Sequence, residues 1–331
     1  MAVFHTGFLT ADYTSSPKFP YTARQWRILL VPPPQNAPRM DAHIDGRIVA
    51  GKQIAIEAEG EEIAARAFGL IKAGFCLLGG SSEFGPPAVD EFELKDARDL
   101  RLAENRESIP HFMGTFGFPR ACELAVKASR RTKHIYALTK FKVSVDLYST
   151  HLIALDPQHT PTMPRSKNPE DHVRAAYAII AAYSVLEEVG FGVPASAARP
   201  SCLPDGTWNP AVKRDLEIKL KAGGVDLTER FNWNIRGQRT AIEKRRPRQL
   251  FHNAAPAPWA RWDVRDLFVD VVDAIGHSSW LRSNIASHKT RREVGLISAY
   301  DVANTQWLAR RLLLENLGVW QRWFRDRESD D

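Results

Sequence analysis

The chain has 331 residues and a formal net charge of +6, with 44% hydrophobic and 25% charged residues. Such a length holds about two domains and ample material for a core, and the composition is that of an ordinary globular protein, which excludes a low-complexity or disordered chain. The basic excess favours a polyanion such as nucleic acid as partner, with an ordinary basic surface as the alternative.

Cys76, Cys122 and Cys202 are scattered and form no Cys-x-x-Cys pair, so neither a zinc ribbon nor a disulfide framework is indicated. The start, MAVFHTGFLTADYTS, lacks the basic opening and long apolar run of a signal peptide. The longest apolar stretch, AAYAIIAAYSVL at 175–186, is too short to span a bilayer. A soluble, cytoplasmic protein without a membrane partner is expected.

In chain order, QWRILLVPPP at 25–34 reads as a strand stopped by prolines, and RIVAGKQIAIEA at 47–58 as one or two further strands. Helical spacing and a Gly-Gly stop predict a helix over 59–80, and RACELAVKASRR predicts another over 120–131. KHIYALTKFKVSVDLY fits either type: Val143, Val145 and Leu147 favour a strand, Ile135, Leu138, Phe141 and Val145 a helix. The absence of a turn residue tips it towards helix. Four prolines in LDPQHTPTMPRSKNPED, 155–171, mark a domain boundary. Helices are then predicted at 170–189, about 209–222, about 262–288 and 299–318. The expected fold is an α+β domain over 1–155 followed by an all-α four-helix bundle over 168–320.

The third helix of that bundle poses a chemical question. Turning about 100° per residue from Val264, Phe268, Val271 and Ile275 stay within roughly 40° of the start, and Arg282 returns to about 0°. An unpaired guanidinium buried there would cost several kcal/mol, so a carboxylate partner, a cleft or a subunit interface is required. In the first helix, Val173, Ala176, Tyr177, Ile180 and Tyr183 define a face on which Glu187 also falls, whereas Glu188 points elsewhere. Glu187 is therefore expected beside Arg282. His288 follows Arg282 in the string RSNIASH, and on an ideal helix it would sit about 120° away. The two groups meet one substrate only if the helix ends near Ser287 or a second subunit supplies the other half. His277, one turn after Asp273, suggests a metal ligand less than it suggests a satisfied histidine on the helix surface.

Over 168–318 the sequence resembles a HEPN domain, and within that family the Apea-like ribonucleases. Their signature is an arginine, four to six residues and a histidine late in the third main helix, matched here by RSNIASH at 282–288. The string also fits at Arg106–His111, Arg165–His172 and Arg245 or Arg246 to His252, but only the match at 282 falls late in a predicted helix. The position after the arginine is Ser283, where the family often has Asn, Asp or His, and Asn284 is placed to fill that polar role. The resemblance implies a metal-independent endoribonuclease of toxin or antiviral type with no cofactor, in which the 2′-hydroxyl of RNA attacks the adjacent phosphate. It assigns His288 as general acid or base, because imidazole titrates near neutrality. It assigns Arg282 as the clamp on phosphate and transition-state charge. Lys289, Arg291 and Arg292 would draw in the RNA backbone. It further implies a homodimer with two such segments in one cleft, and an N-terminal domain serving as sensor or as the surface for an antitoxin or regulatory partner.

Two rival readings stand beside this one: a non-catalytic HEPN module that binds nucleotide or a nucleotidyltransferase-type partner, and a helical scaffold in which Arg282 and Glu187 form only a structural ion pair. The basic connection carrying Arg236, Arg239, Lys244, Arg245, Arg246 and Arg248 is a further candidate contact for nucleic acid, or a solvated loop.

Overall fold

The computed structural model describes residues 1–11, 19–32, 41–44, 47–79, 95–96, 117–148, 169–203, 207–236, 255–256, 264–283, 297 and 299–321. They belong to two compact units, Met1–Leu138 and Thr139–Asp331, and the division falls inside a helix, Thr132–Leu147. The prolyl segment 155–171 lies outside the described residues up to 168.

The first unit is an antiparallel sheet with helices. Its strands are β1 (Ala2–Ala11), β2 (Tyr21–Thr22), β3 (Trp26–Val31), β4 (Asp41–Ile44), β5 (Arg47–Ala58) and β6 (Lys95–Asp96), ordered β2-β3-β5-β1-β6 with β4 beside the start of β5. Period-two alternation explains the central strand: Ile54, Ile56 and Ala58 point one way and are at most 1% exposed, and Ile28 joins them from β3. On the opposite side Arg27 and Glu57 are register partners and form an ion pair. Helix α1 (Glu61–Gly79) packs on β5 and along α2 (Gly117–Ser129), burying Phe68, Ile71, Leu77, Leu124 and Ala125. Strand β1 was not expected from the sequence.

The ambiguous segment is helical: α3 (Thr132–Leu147) buries Ala137, Leu138, Phe141 and Val145 at helical spacing. In the second unit follow α4 (Pro169–Val189), α5 (Pro210–Ala222), β7 (Arg230–Arg236), β8 (Ala255–Pro256), β9 (Val264–Asp270), α6 (Val271–Leu281) and α7 (Ala299–Asn316). Helix α4 packs along α7, and α6 touches both. A buried polar bridge fastens the end of α3 to this layer. Gln306 Nε2 on α7 donates to the Ser144 carbonyl at 3.1 Å, to Ser144 Oγ at 3.0 Å and to the Tyr148 carbonyl at 2.9 Å. Ser144 Oγ in turn donates to the Ala178 carbonyl on α4 at 2.7 Å. Elsewhere on α7, Arg311 grips both carboxylate oxygens of Glu229, reaches Glu315 at 2.9 Å and lies 4.0 Å from the Trp320 ring.

Three expectations are corrected. The second unit is not all-α, because β7, β9 and β8 form a three-stranded antiparallel sheet. The helix expected from about 262 begins only at Val271. Residues 264–270 pair with β7 from Arg236↔Val264 to Arg230↔Asp270, and Val269 is buried beside Phe231 while Phe268 is 59% exposed, a strand alternation. Asp270 then caps the helix by accepting the Asp273 N–H at 2.7 Å. The third correction concerns α4. Its buried residues are Ala175, Ala176, Ala178, Ile179, Ala182, Tyr183, Val185, Leu186 and Val189, so Ala176 and Tyr183 of the expected inner face are buried while Val173 and Tyr177 are 51% and 56% exposed.

Candidate functional site

With β9 a strand, phase cannot be counted from Val264, and Arg282 does not sit in the middle of an apolar stripe. It is the C-cap of α6, immediately after the fully buried Leu281, with φ −58° and ψ −47°. Its N–H donates to the Ser278 and Ser279 carbonyls, so the last turn of α6 fixes its backbone. The side chain is 40% exposed and its Nη2 lies 3.5 Å from Glu187 Oε1, whose side chain is 42% exposed. The expected neighbours are thus together, as a half-exposed ion pair.

Glu187 owes its place to the way α4 ends. Gly190 adopts φ +90°, and the N–H groups of Gly190 and Phe191 bond back to the carbonyls of Glu187 and Leu186 at 3.1 and 2.7 Å. This is a Schellman stop, which requires a left-handed residue just past the helix, and glycine takes that conformation without strain. Phe191 is buried and the chain doubles back. A side-chain carbon on Gly192 would meet Glu187 Cγ at 3.0 Å, so the returning turn lies directly against the acid. The adjacent Glu188 faces away and pairs with Lys140 on α3 at 2.5 Å.

A buried phenol sits behind the pair. Tyr183, one turn before Glu187 on α4, is 2% exposed. Its hydroxyl oxygen accepts the Val193 N–H at 3.0 Å. Burial pushes its pKa above the usual tyrosine value, and Glu187 pushes the same way while Ser279, the Val193 amide and Arg282 pull against it. The sequence placed Tyr183 on a face with Glu187 but gave no sign of its bond to the Val193 amide in the turn beyond the helix.

Ser283, after Arg282, is half-buried. His288, Asn284, Lys289, Arg291 and Arg292 lie outside the described residues, as does the basic connection beyond Arg236. His277 is fully buried, which corrects its expected surface position: it packs edge-on against Trp233 with ring centroids 5.4 Å apart. Asp273, one turn earlier, accepts the Trp208 indole N–H at 2.7 Å. Among the described residues no group of three or more His, Cys, Asp or Glu side chains is placed to hold a metal ion, and no helix is long and apolar enough to cross a membrane.

The arrangement offers a guanidinium whose backbone is fixed at a helix end, one side of which is held by a carboxylate while part remains open to solvent. Such a group can bind a phosphate oxygen through its free N–H donors. Compared with protein-family models, with curated proteins and with solved structures, the chain matches none.

Proposed function

We propose that the protein is a metal-independent endoribonuclease of the toxin or antiviral-defence type, with its HEPN-like bundle centred on α4, α6 and α7 and its N-terminal unit acting as sensor or partner surface. Arg282 binds the scissile phosphate and the charge that builds on it. His288 transfers the proton to or from the 2′-hydroxyl and the leaving oxygen, and Lys289, Arg291 and Arg292 bind the RNA backbone. Ser283 and Asn284 support the arginine.

The observation that carries this reading is the Arg282–Glu187 pair, 3.5 Å apart with both side chains about two-fifths exposed. As a structural device it would contribute little, since exposed pairs are worth about 0–1 kcal/mol. As a binding device it is apt, because the carboxylate orients the guanidinium without burying it. The reading includes a homodimer that brings two such sites into one cleft. In its support, Val173 and Tyr177 are exposed on α4 and, at about 100° per residue, share a helix face with Glu187.

The test is incubation of purified protein with end-labelled RNA in the presence of a chelator, beside Arg282→Ala and His288→Ala. Cleavage by the wild type and its loss in both variants, with unfolding midpoints unchanged, is the expected result. Absence of cleavage by the wild type favours the non-catalytic HEPN module instead.

A further inference from the structure

Between Glu123 and Asp146 the chain carries six lysines and arginines and no acidic residue. Half of these cations, Arg130, Arg131 and Lys133, fall at the tight turn where α2 ends and α3 begins. We propose that this turn of the N-terminal unit is a binding surface for single-stranded nucleic acid, in which the three cations hold phosphates and Tyr136 stacks on a base. The inference does not depend on the cleavage chemistry at Arg282.

The turn holds its cations on a fixed backbone. Only Arg130 and Arg131 separate the two helices. Their N–H groups donate to the Lys127 and Ala128 carbonyls at 3.3 and 3.2 Å, which closes α2. The Arg131 carbonyl accepts the His134 and Ile135 N–H groups at 2.9 and 3.2 Å, which opens α3. Ala128, His134, Ala137 and Leu138 are buried, so both helix ends are anchored in the core. Arg130 and Arg131 are exposed and Lys133 is half-buried. A partner therefore meets a surface whose backbone is already ordered, which lowers the cost of binding.

Nothing within the fold uses these charges. Other helix cations have a carboxylate close by: Arg66 reaches Glu62 at 3.2 Å, Lys140 reaches Glu188 at 2.5 Å and Arg174 reaches Glu170 at 2.9 Å. Arg130, Arg131 and Lys133 have no ion-pair partner among the described residues. Basic residues at a helix C-terminus are ordinarily favoured by the helix dipole. Here the N-terminus of α3 follows two residues later with the opposite sign and no acidic residue in its first turn, so that benefit is largely cancelled.

Phosphate suits the arrangement because planar guanidinium forks match its oxygens. Tyr136 points to nucleic acid in particular. It stands one turn after Lys133, where residues three apart are neighbours on the helix surface. It is 57% exposed, although the adjoining Ala137 and Leu138 are fully buried. Cations that track a backbone beside an aromatic face for the bases are how single strands are held. An acidic peptide has no use for the ring.

The experiment titrates the full chain against a labelled 2′-O-methyl oligouridine of about twelve nucleotides, within the span such surfaces cover. This probe has no free 2′-hydroxyl to attack its phosphates, so binding is read apart from cleavage. Four proteins are compared: the wild type, the triple variant Arg130→Gln/Arg131→Gln/Lys133→Gln, Tyr136→Ala, and a control with the same charge loss at exposed or half-buried sites of α5, Arg214→Gln/Lys219→Gln/Lys221→Gln. The triple variant should bind more than about tenfold more weakly at about 0.1 M salt. Its salt slope should fall by about 2, since each phosphate contact on a single strand contributes about 0.7. Tyr136→Ala should weaken binding about tenfold and leave the slope unchanged. The control should stay within about twofold of the wild type, and thermal midpoints should not move. No binding by the wild type overturns the proposal, as do equal losses in the triple variant and the control. Oligoglutamate that binds as tightly, with Tyr136→Ala indifferent to both probes, overturns it in favour of an acidic protein. A deoxyuridine oligomer run alongside tells RNA from DNA as the source of the strand. A wild type that binds the probe but cuts no ordinary RNA defeats the ribonuclease reading and leaves this one standing.

Discussion

Replacing Arg311 by methionine should destabilise the second unit strongly at neutral pH and much less in acid. The guanidinium is 4% exposed, grips Glu229 through two nitrogens, and reaches Glu315, whose side chain is 6% exposed, at 2.9 Å. Methionine keeps much of the volume but leaves a sheltered carboxylate without its cation. Removing one partner of a buried pair costs about 3–5 kcal/mol. Because Glu229 is 31% exposed and is rehydrated when freed, the lower end, about 3 kcal/mol at pH 7.5, is expected. For a unit of this size that corresponds to a fall in the thermal midpoint of about 6–12 °C. Burial already pushes the Glu315 carboxyl above its ordinary value, with Arg311 as the leading influence in the other direction. Loss of Arg311 therefore raises it further. A carboxyl whose folded pKa is raised favours the folded state below its unfolded pKa, and that advantage is lost as pH rises through the folded value. The destabilisation should consequently be largest at pH 7.5 and shrink as pH falls and Glu315 takes up a proton. Urea unfolding of both proteins at pH 7.5 and pH 5 measures this. Equal penalties at the two pH values, or none at pH 7.5, would refute the account of Arg311 as the cation for a buried acid.

If the protein cleaves RNA as proposed, Arg282→Ala should lower that cleavage more than about a hundredfold, as loss of a transition-state donor does, while shifting stability by less than about 1 kcal/mol because its ion pair is half-exposed; cleavage assays and urea melts read the two effects. Gln306→Leu should cost about 1–3 kcal/mol in the same melts, since the amide's contacts to Ser144 and Tyr148 are buried and their acceptors lose a donor. Asp270→Ala removes the acceptor for the Asp273 N–H and should cost about 1 kcal/mol by urea unfolding. Gly190→Ala places a side chain at φ +90° and should cost about 1 kcal/mol or more, with faster hydrogen exchange at Phe191, whose amide closes the turn.

Long segments with a clear apolar period were legible from the residues alone: Glu61–Gly79, Gly117–Ser129, Pro169–Val189, Pro210–Ala222 and Ala299–Asn316 lie close to where their spacing put them. Val264–Asp270 was not, because Val264, Phe268 and Val271 fit a helical count as well as Val269 and Phe231 fit a strand pair. The partner that decides between them lies more than twenty residues away, and pairing with it outweighs local periodicity. The inner face of α4 was misjudged for a different reason. Val173 and Tyr177 looked like the core because they are large, yet Ala175, Ala178, Ala182 and their neighbours are the residues that α4 buries. At the site, a charge after an apolar run and an acid at the end of another helix were enough to bring Arg282 and Glu187 to attention. The bond from the Val193 amide to the Tyr183 hydroxyl was missed because a tyrosine in a helix is too common to stand out.

The position of α3 bears on how the protein can be dissected. The division between the compact units falls at Leu138 and Thr139, inside a helix that starts at Thr132 and ends at Leu147. A fragment cut at that division would open with nine helical residues deprived of their first two turns, and so short a helix is marginal in water even with good helix formers. Fraying would reach Ser144 and pull at the carbonyl and hydroxyl that receive Gln306. Limited trypsin digestion and domain expression should accordingly yield a durable C-terminal piece only when it retains the chain from Thr132 onward.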